Sequence, residues 1–236
     1  MHNKIIKELK IKSNKEKAKQ CAQFFKTGSG QYGEGDIFIG VTVPVLRKIA
    51  KKYIEINLKD LQNLIQSPIH EYRLTAFIIL TYKFVKTKDE KIKKQIYNYY
   101  LKNRRYVNNW DLVDVTTPKV VGAYLLDKIN EREILYKYAR SKKLWEKRIA
   151  ILATFTFLRD GQFKDALQIS KILLNDKHDL IHKAVGWMLR EIGKKDLVVE
   201  ERFLKKYYKK MPRTMLRYAI ERFEEKKRLE YLRGEI

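Results

Sequence analysis

The chain has 236 residues, 44% of them hydrophobic, which is enough to bury a continuous core and excludes a disordered protein. The 52 lysines and arginines exceed the 28 aspartates and glutamates, and the formal net charge of +24 indicates a polyanionic partner, with nucleic acid as the leading candidate. A single cysteine, Cys21, excludes an intrachain disulfide and a thiolate metal cluster, and no signal peptide or membrane-spanning apolar run is recognised.

Apolar residues at three-four spacing, interrupted by only four prolines and ten glycines, predict an almost all-helical protein without a confident strand. The segment from Met1 to Lys12 is predicted to be an amphipathic helix. Ser13 followed by Glu16 is a capping-box pattern that opens a second helix reaching about Lys26. The charged tail, 224–236, is predicted to fray. Further helices are predicted at 44–53, 58–66, 68–85, 89–102, 118–128, 132–139, 144–158, 163–174, 180–192, 198–209 and 212–223.

A glycine-rich loop at 27–36 separates the second and third predicted helices. Its run Gly-Ser-Gly-Gln-Tyr-Gly at 28–33 is a literal match to the dinucleotide-binding fingerprint. That fingerprint works at a strand-turn-helix junction, whereas a helix precedes this loop and no parallel-sheet pattern follows. We therefore interpret the segment as a flexible loop that a partner could order.

The segment at 108–119 holds residue types suited to contact chemistry. In a helix, Trp110 and Asp114 share one face because they are four residues apart, and Asp111 lies at its edge. Asp111 is close enough to the predicted helix start, after Asn108 or Asn109, to act as a cap or to support the helix dipole. Asp114 lies too far into the helix for that role, which favours a functional one.

Basic residues that open apolar runs recur along the chain at 73, 148, 183 and 217, at intervals of 75, 35 and 34 residues. Half of the first interval falls at Trp110 and Asp111. The period predicts an all-α protein of stacked helix pairs, a HEAT-like α-solenoid. We expect one domain over 1–236, curved into a superhelix whose second helices line a basic concave face. The residues expected along that face are Arg73, Trp110 with Asp114, Arg148, Lys183 with Trp187, and Arg217.

Three segments carry a resemblance to a known family: Trp-Asp-Leu-Val-Asp at 110–114, Trp-Glu-Lys-Arg-Ile-Ala at 145–150 and Lys-Ala-Val-Gly-Trp-Met-Leu-Arg-Glu at 183–191. In their order and intervals they resemble the AlkD-type DNA alkylation repair proteins over most of the chain. The resemblance implies a HEAT-like solenoid that wraps duplex DNA and hydrolyses the N-glycosidic bond of N3- or N7-alkylated purines while the base stays stacked. It implies that Asp114 is the catalytic carboxylate, that Trp110 and Trp187 pack on the lesion's deoxyribose, and that Arg148 holds the adjacent backbone.

Two positions depart from the family pattern. The best-known members have a second tryptophan where this chain has Asn109, and their DNA-facing N-terminal tyrosine corresponds to Phe24 or Phe25. Both departures bear on substrate range and activity. The remaining DNA contacts that we predict are Arg190, Lys183, Arg73, Arg217 and Asn109.

The predicted function is that of a monofunctional alkylpurine DNA glycosylase. A carboxylate near C1′ stabilises the oxocarbenium-like sugar and orients a water, and a cationic purine leaves readily. Neither a cofactor nor a metal is predicted, since the pair His178 and His182 lacks further ligands and solvated or capping roles suit it better. We expect a cytoplasmic, nucleoid-associated monomer acting on double-stranded DNA with alkylated purines. The alternatives are a non-catalytic HEAT-repeat protein that binds distorted or branched DNA, and a protein-binding scaffold.

Overall fold

The structure, a computed structural model that describes residues 1–236, consists of helices and their connections. Outside the helices, Ile37 and Ile69 form an isolated parallel β-bridge. No helix combines the length and apolarity needed to cross a bilayer. The α-helices are α1 (His2–Ile11), α2 (Lys15–Phe24), α3 (Val43–Lys52), α4 (Leu58–Ile65), α5 (His70–Lys86), α6 (Glu90–Lys102), α7 (Trp110–Thr117), α8 (Ala123–Leu125), α9 (Glu133–Ala139), α10 (Leu144–Arg159), α11 (Lys164–Ile172), α12 (Asp179–Gly193), α13 (Leu197–Tyr207), α14 (Arg213–Ala219) and α15 (Glu225–Arg233).

The helices gather into two compact units, Met1–Val120 and Val121–Ile236. In the first unit, α5 packs against α3, α4, α6 and α7. Every residue of α5 from His70 to Thr81 is buried. A helix that is buried on all sides is typical of the centre of a core, so the ionisable side chains of α5 must find partners inside the protein.

In the second unit, α10, α12 and α14 lie side by side in chain order. The helix α9 packs on α10, α11 packs on both α10 and α12, and α13 packs on α12. In the first unit α5 and α7 are likewise neighbours. The all-α class and the HEAT-like stacking of helix pairs, which is the arrangement of an α-solenoid, are therefore confirmed within each unit. Curvature, a basic concave face and a single domain stay predictions.

Several predicted helix ends differ from the structure. Asn14, not Ser13, caps α2, because the Asn14 side chain accepts a hydrogen bond from the Lys17 N–H at 2.9 Å. The helix predicted at 118–128 forms as a π-helical turn, Pro118–Gly122, followed by the short α8.

The C-terminal tail, which was predicted to fray, is mostly helical in the structure. The tail forms α15, and Tyr231 on this helix is only 1% exposed. Its ring packs edge-on against Tyr208 at 5.3 Å and against Phe223 at 5.7 Å. One buried aromatic side chain therefore anchors a segment whose other residues are mostly charged.

Gly186 sets how closely α12 approaches α14. A Cβ atom at this position would lie 2.4 Å from the Met215 carbonyl oxygen and 2.5 Å from the Tyr218 Cβ. Only a residue without a side chain fits this approach, so the spacing of the two helices depends on Gly186.

Replacing Gly186 by alanine is expected to lower the free energy of unfolding by about 1–3 kcal/mol, because the added methyl group overpacks the interface. In an unconstrained helix the same change usually stabilises. Denaturant unfolding measures the effect, with Gln168→Ala on the exposed side of α11 as the control. Equal stability of Gly186→Ala and the wild type would show that α12 and α14 can move apart to fit the methyl group without a loss of stability.

Candidate functional site

The start of α7 brings Trp110 and Asp114 to one side of a short helix. Asn109 precedes the helix in an extended conformation, and its Oδ1 accepts a hydrogen bond from the Trp110 N–H at 2.8 Å. Because they are four residues apart in an α-helix, Trp110 and Asp114 share a face, and both are half-buried. At Pro118 the helix continues as a π-helical turn, a feature that is frequent at functional sites.

Two consecutive phenylalanines at the end of α2 enclose the Trp110 indole. Phe25 stacks on it with a centroid distance of 5.0 Å and an interplanar angle of 14°. Phe24 meets the indole edge-on at 5.8 Å and remains 66% exposed. The two candidates for the N-terminal departure thus differ: Phe25 stacks on the indole, whereas Phe24 presents an aromatic ring to solvent beside it.

A buried cluster of four charged groups lies beneath these rings. His70 Nδ1 is 3.1 Å from Asp36 Oδ2, and His70 Nε2 is 2.8 Å from Asp111 Oδ2. Arg73 donates to the other Asp36 oxygen at 2.5 Å. All four residues are buried. The cluster joins the end of the glycine-rich loop to the first turns of α5 and α7.

The contacts within the cluster favour the charged forms of His70 and Asp36. Burial opposes a charge on His70, but the carboxylates of Asp111 and Asp36 outweigh it and raise the His70 pKa to about 9. Burial also opposes the charge on Asp36, yet His70 and Arg73 hold the pKa of Asp36 below its usual range. Two cations and two anions therefore balance inside the first unit.

The glycine-rich loop is ordered by the protein itself. The Gly28 N–H donates to the Gln31 side chain at 3.0 Å, and the Gly30 N–H donates to Glu34 at 2.8 Å. The helix α2 precedes the loop, and no strand does. The interpretation against a dinucleotide site is consistent with this context. Hydrogen bonds within the loop fold it on itself, and the loop ends in the buried Asp36; its flexibility stays a prediction.

Glu71 fixes the segment that follows this loop. Its carboxylate accepts hydrogen bonds from three consecutive backbone N–H groups, those of Ile39, Gly40 and Val41, at 2.7–3.3 Å. Gly40 has a φ of +76°, and a Cβ there would lie 2.1 Å from the Asn14 carbonyl oxygen. Glycine at this position allows the chain to turn against α2 and to hold Phe38 over the buried cluster.

Two residues predicted to contact DNA lie inside the first unit instead. Arg73 is 3% exposed and is engaged by Asp36 and by the Ser67 carbonyl oxygen. Asn109 is fully buried, caps α7 and donates to Asp36 at 3.3 Å. Neither side chain projects from the surface, because both donate hydrogen bonds to the buried carboxylate of Asp36. Asp111 lies in the first turn of α7, as expected of a residue that supports the helix dipole, and its Oδ1 accepts the Leu112 N–H at 2.8 Å. Its other oxygen pairs with His70, and Asn109 is the N-cap residue.

In the second unit, Trp187 and Arg190 lie on α12, both half-buried. The Trp187 indole N–H donates to Glu191 at 3.1 Å, and its ring lies 5.7 Å from Phe155. Arg190 forms an ion pair with Glu221. Both side chains therefore have protein partners that a DNA contact would have to replace or share.

The other basic residues of the repeat series differ in exposure. Arg148 on α10 is 5% exposed and donates to the Leu180 carbonyl oxygen, so it links α10 to the start of α12. Lys183 is partly exposed and pairs with Asp179 at 2.7 Å. Arg217 is exposed on α14. The expected row of projecting basic side chains in this unit is thus reduced to Lys183 and Arg217.

His178 has the capping role that the sequence favoured over a metal site. Its Nδ1 accepts the Leu180 N–H at 3.1 Å at the start of α12. His182 is bonded through Nε2 to the Asp176 carbonyl oxygen. The two histidines thus shape the turn before α12.

The buried contacts of Asp36, His70 and Phe38 were not predicted from the sequence. A signal did exist at the start of α5, where His70, Glu71 and Arg73 open an otherwise apolar helix. Charged residues in a helix that is apolar all round require internal partners. The partner Asp36 lies in a glycine-rich loop more than thirty residues away, where no local pattern distinguishes it.

Comparisons with known proteins give a family match and a similar fold. The sequence matches the model of a family described as DNA alkylation repair enzyme over residues 5–223. Among solved structures, the chain is similar to a predicted DNA alkylation repair enzyme from Enterococcus faecalis, with a TM-score of 0.70 and 17% identity, over 91% of this chain and 98% of that chain. At this identity the likeness shows a shared fold. Curated protein sequences contain no match. The family match includes residues of both units.

Proposed function

Because the chain belongs to the DNA alkylation repair enzyme family, we propose that it is a DNA glycosylase for cationic N3- or N7-alkylated purines in duplex DNA. The family gives the chain a role in DNA repair, and a net charge of +24 suits the phosphate backbone. The observation that carries the finer proposal is the Trp110 indole, backed by Phe25, on the same face of α7 as the Asp114 carboxylate. An aromatic face beside a carboxylate is suited to a developing cation.

The proposed reaction breaks the bond between C1′ and the purine nitrogen. An alkylated purine already carries a positive charge, so it leaves as a neutral base and takes the bonding electrons without needing an acid. The sugar becomes oxocarbenium-like, and the Asp114 carboxylate stabilises it. Asp114 also orients a water, whose oxygen bonds to C1′ and whose proton passes to the carboxylate and then to solvent.

The target base is proposed to remain in the helical stack. Contact with the sugar requires only an aromatic edge and a carboxylate at the surface, whereas extrusion requires a base-sized pocket. A cleft of about 460 Å³ in the first unit is lined by residues of the α3–α4 connection, α5 and α6, and by none from α7. It therefore does not provide a base pocket beside Asp114.

The exposed aromatic ring of Phe24 extends the proposed contact in the first unit, because it continues the surface of the Trp110 indole. In the second unit, Lys183 and Arg217 are proposed phosphate contacts. The Lys183 ammonium would act as a point charge, and the Arg217 guanidinium would donate two parallel hydrogen bonds. Trp187 and Arg148 stay proposed contacts through the family resemblance, and Arg190 stays a proposed phosphate contact. For Arg190, a phosphate would take the place of Glu221.

The test is release of 7-methylguanine or 3-methyladenine from methylated duplex DNA by the purified protein, measured by mass spectrometry of the free bases. We expect release of at least one of them, leaving abasic sites. A monofunctional hydrolase leaves the strand intact until alkali is added, whereas a lysine-based lyase breaks it directly.

A protein that binds the same duplex without releasing either base would contradict the enzymatic proposal and favour the non-catalytic DNA-binding alternative. Affinity alone does not separate the two functions, since both predict binding that weakens steeply with salt. Release of bulky N7 adducts at a similar rate would support hydrolysis without base extrusion.

A further inference from the structure

His70 is bonded through both ring nitrogens to carboxylates on different segments, Asp36 at 3.1 Å and Asp111 at 2.8 Å. An ionised carboxylate only accepts hydrogen bonds, and a neutral imidazole has only one N–H to donate. Both contacts are satisfied together only by the doubly protonated imidazolium. The geometry therefore specifies the charged form of His70.

The groups around His70 are consistent with this charge. Phe38 stacks on the imidazole at 4.5 Å, and Phe25 lies 5.3 Å away. Arg73 shares Asp36 with His70. The neighbouring acid, Glu71, is occupied by backbone N–H groups, and the Cys21 thiol on α2 has a pKa raised by burial and by Glu71 and Asp111, so it stays neutral.

The cluster bears directly on the candidate site. Asp111 lies in the first turn of α7, next to Trp110 and three residues before Asp114. Phe25, which stacks on Trp110, also packs against the His70 ring. A displacement of the imidazole would therefore move the helix that carries both functional side chains and the ring that supports the indole.

We propose that His70 is a positioning residue of the glycosylase site, whose imidazolium ties Asp36 to Asp111 and so orients Trp110 and Asp114. This inference rests on the proposed function, although the positioning itself concerns the free protein. His70 touches neither the sugar nor the base in this role.

The positioning depends on pH in a defined direction. The His70 pKa of about 9 lies above its ordinary value of 6.5, because the two carboxylates outweigh burial. The tie is thus intact at neutral pH and is lost as pH rises through about 9. The rate of base release from bound DNA should fall in that window.

Two neutral replacements of His70 remove its charge equally but keep different hydrogen bonds, so they separate the effect of geometry from that of charge. In His70→Gln the side-chain amide can reach the place of Nε2 and keep the bond to Asp111, whereas in His70→Asn it can reach only the place of Nδ1 and keep the bond to Asp36. Under single-turnover conditions we expect His70→Asn to release base about 10- to 100-fold more slowly than the wild type, with DNA affinity within about twofold, and His70→Gln to retain clearly more activity.

His2→Asn is the matched control. His2 is also bonded to an aspartate, Asp60, at 3.3 Å, but at the N-terminus and away from α7. The His2→Asn substitution should leave the rate of base release unchanged. Equal rates for wild type and His70→Asn, or equal losses in the Asn and Gln variants, would overturn the proposal.

A second readout uses the wild-type protein and needs neither activity nor a variant. Nitrogen chemical shifts of the His70 ring should show both nitrogens protonated at pH 7.5. A neutral ring at that pH would refute the proposal.

In a Trp145→Phe/Trp187→Phe background, Trp110 is the one remaining tryptophan of the three. In that background His70→Asn should shift the fluorescence emission of Trp110 to the red, while His70→Gln should not. If no base is released but these signals behave as expected, the proposed function fails and the positioning stands.

Discussion

Replacing Asp114 by asparagine is expected to slow the release of 7-methylguanine by about 10²- to 10³-fold, the size typical of losing one preorganised electrostatic contact to a transition state. Asparagine keeps the size and shape of the side chain but removes the negative charge that would stabilise the sugar cation. Affinity for undamaged duplex should be retained or increase, since a carboxylate repels phosphates. Single-turnover release at saturating protein measures the effect on the chemical step alone.

The environment of Asp114 supports this expectation. Burial, together with the negative charge of Asp114, raises the pKa of the neighbouring Tyr100 to about 12. The Tyr100 hydroxyl is held by Thr116 at 2.9 Å and by Thr117 at 2.8 Å. Tyr100 therefore stays neutral at physiological pH and adds no negative charge beside that of Asp114.

Asp127→Asn is the control for this substitution, because Asp127 is exposed beyond the end of α8. It should release base at the wild-type rate. An unchanged rate in Asp114→Asn, with the wild type active, would mean that another group stabilises the sugar and that the catalytic assignment must move elsewhere.

The second large effect is on stability. Asp36→Ala is expected to lower the free energy of unfolding by about 3–5 kcal/mol, as expected when one partner of a buried ion pair is removed. The Asp36 carboxylate accepts from His70, Arg73, Asn108 and Asn109. Its loss leaves the Arg73 guanidinium without its counterion and the His70 imidazolium with Asp111 alone. Denaturant unfolding at pH 7 measures the change.

The matched control is Glu55→Ala. Glu55 also forms an ion pair, with Lys86 at 2.5 Å, but both side chains are largely exposed to water. Exposed pairs contribute little, so this variant should unfold at nearly the wild-type denaturant concentration. If Asp36→Ala were equally mild, water would have to enter the cluster and solvate the two cations.

Much of the fold was determined by local sequence. Helical periodicity and the rarity of proline and glycine predicted the all-α class, and the intervals between Arg73, Arg148, Lys183 and Arg217 predicted helix pairs in register. The spacing of Trp110 and Asp114 placed them on one face of α7. These features succeed because a helix is defined by contacts between residues three or four positions apart, which a linear pattern contains.

Other features were decided only by the tertiary structure. Arg73 occupies the predicted register, but α5 is buried all round, so its side chain turns to Asp36 and not to solvent. Asp36 and His70 are in contact although they are 34 residues apart in the sequence, and His70 and Asp111 are in contact at a separation of 41 residues. The sequence by itself determined most of the helices and the face that carries the indole and the carboxylate. Which charges are buried together beneath that face depended on long-range packing, because a buried charge takes whatever counter-charge the fold brings to it.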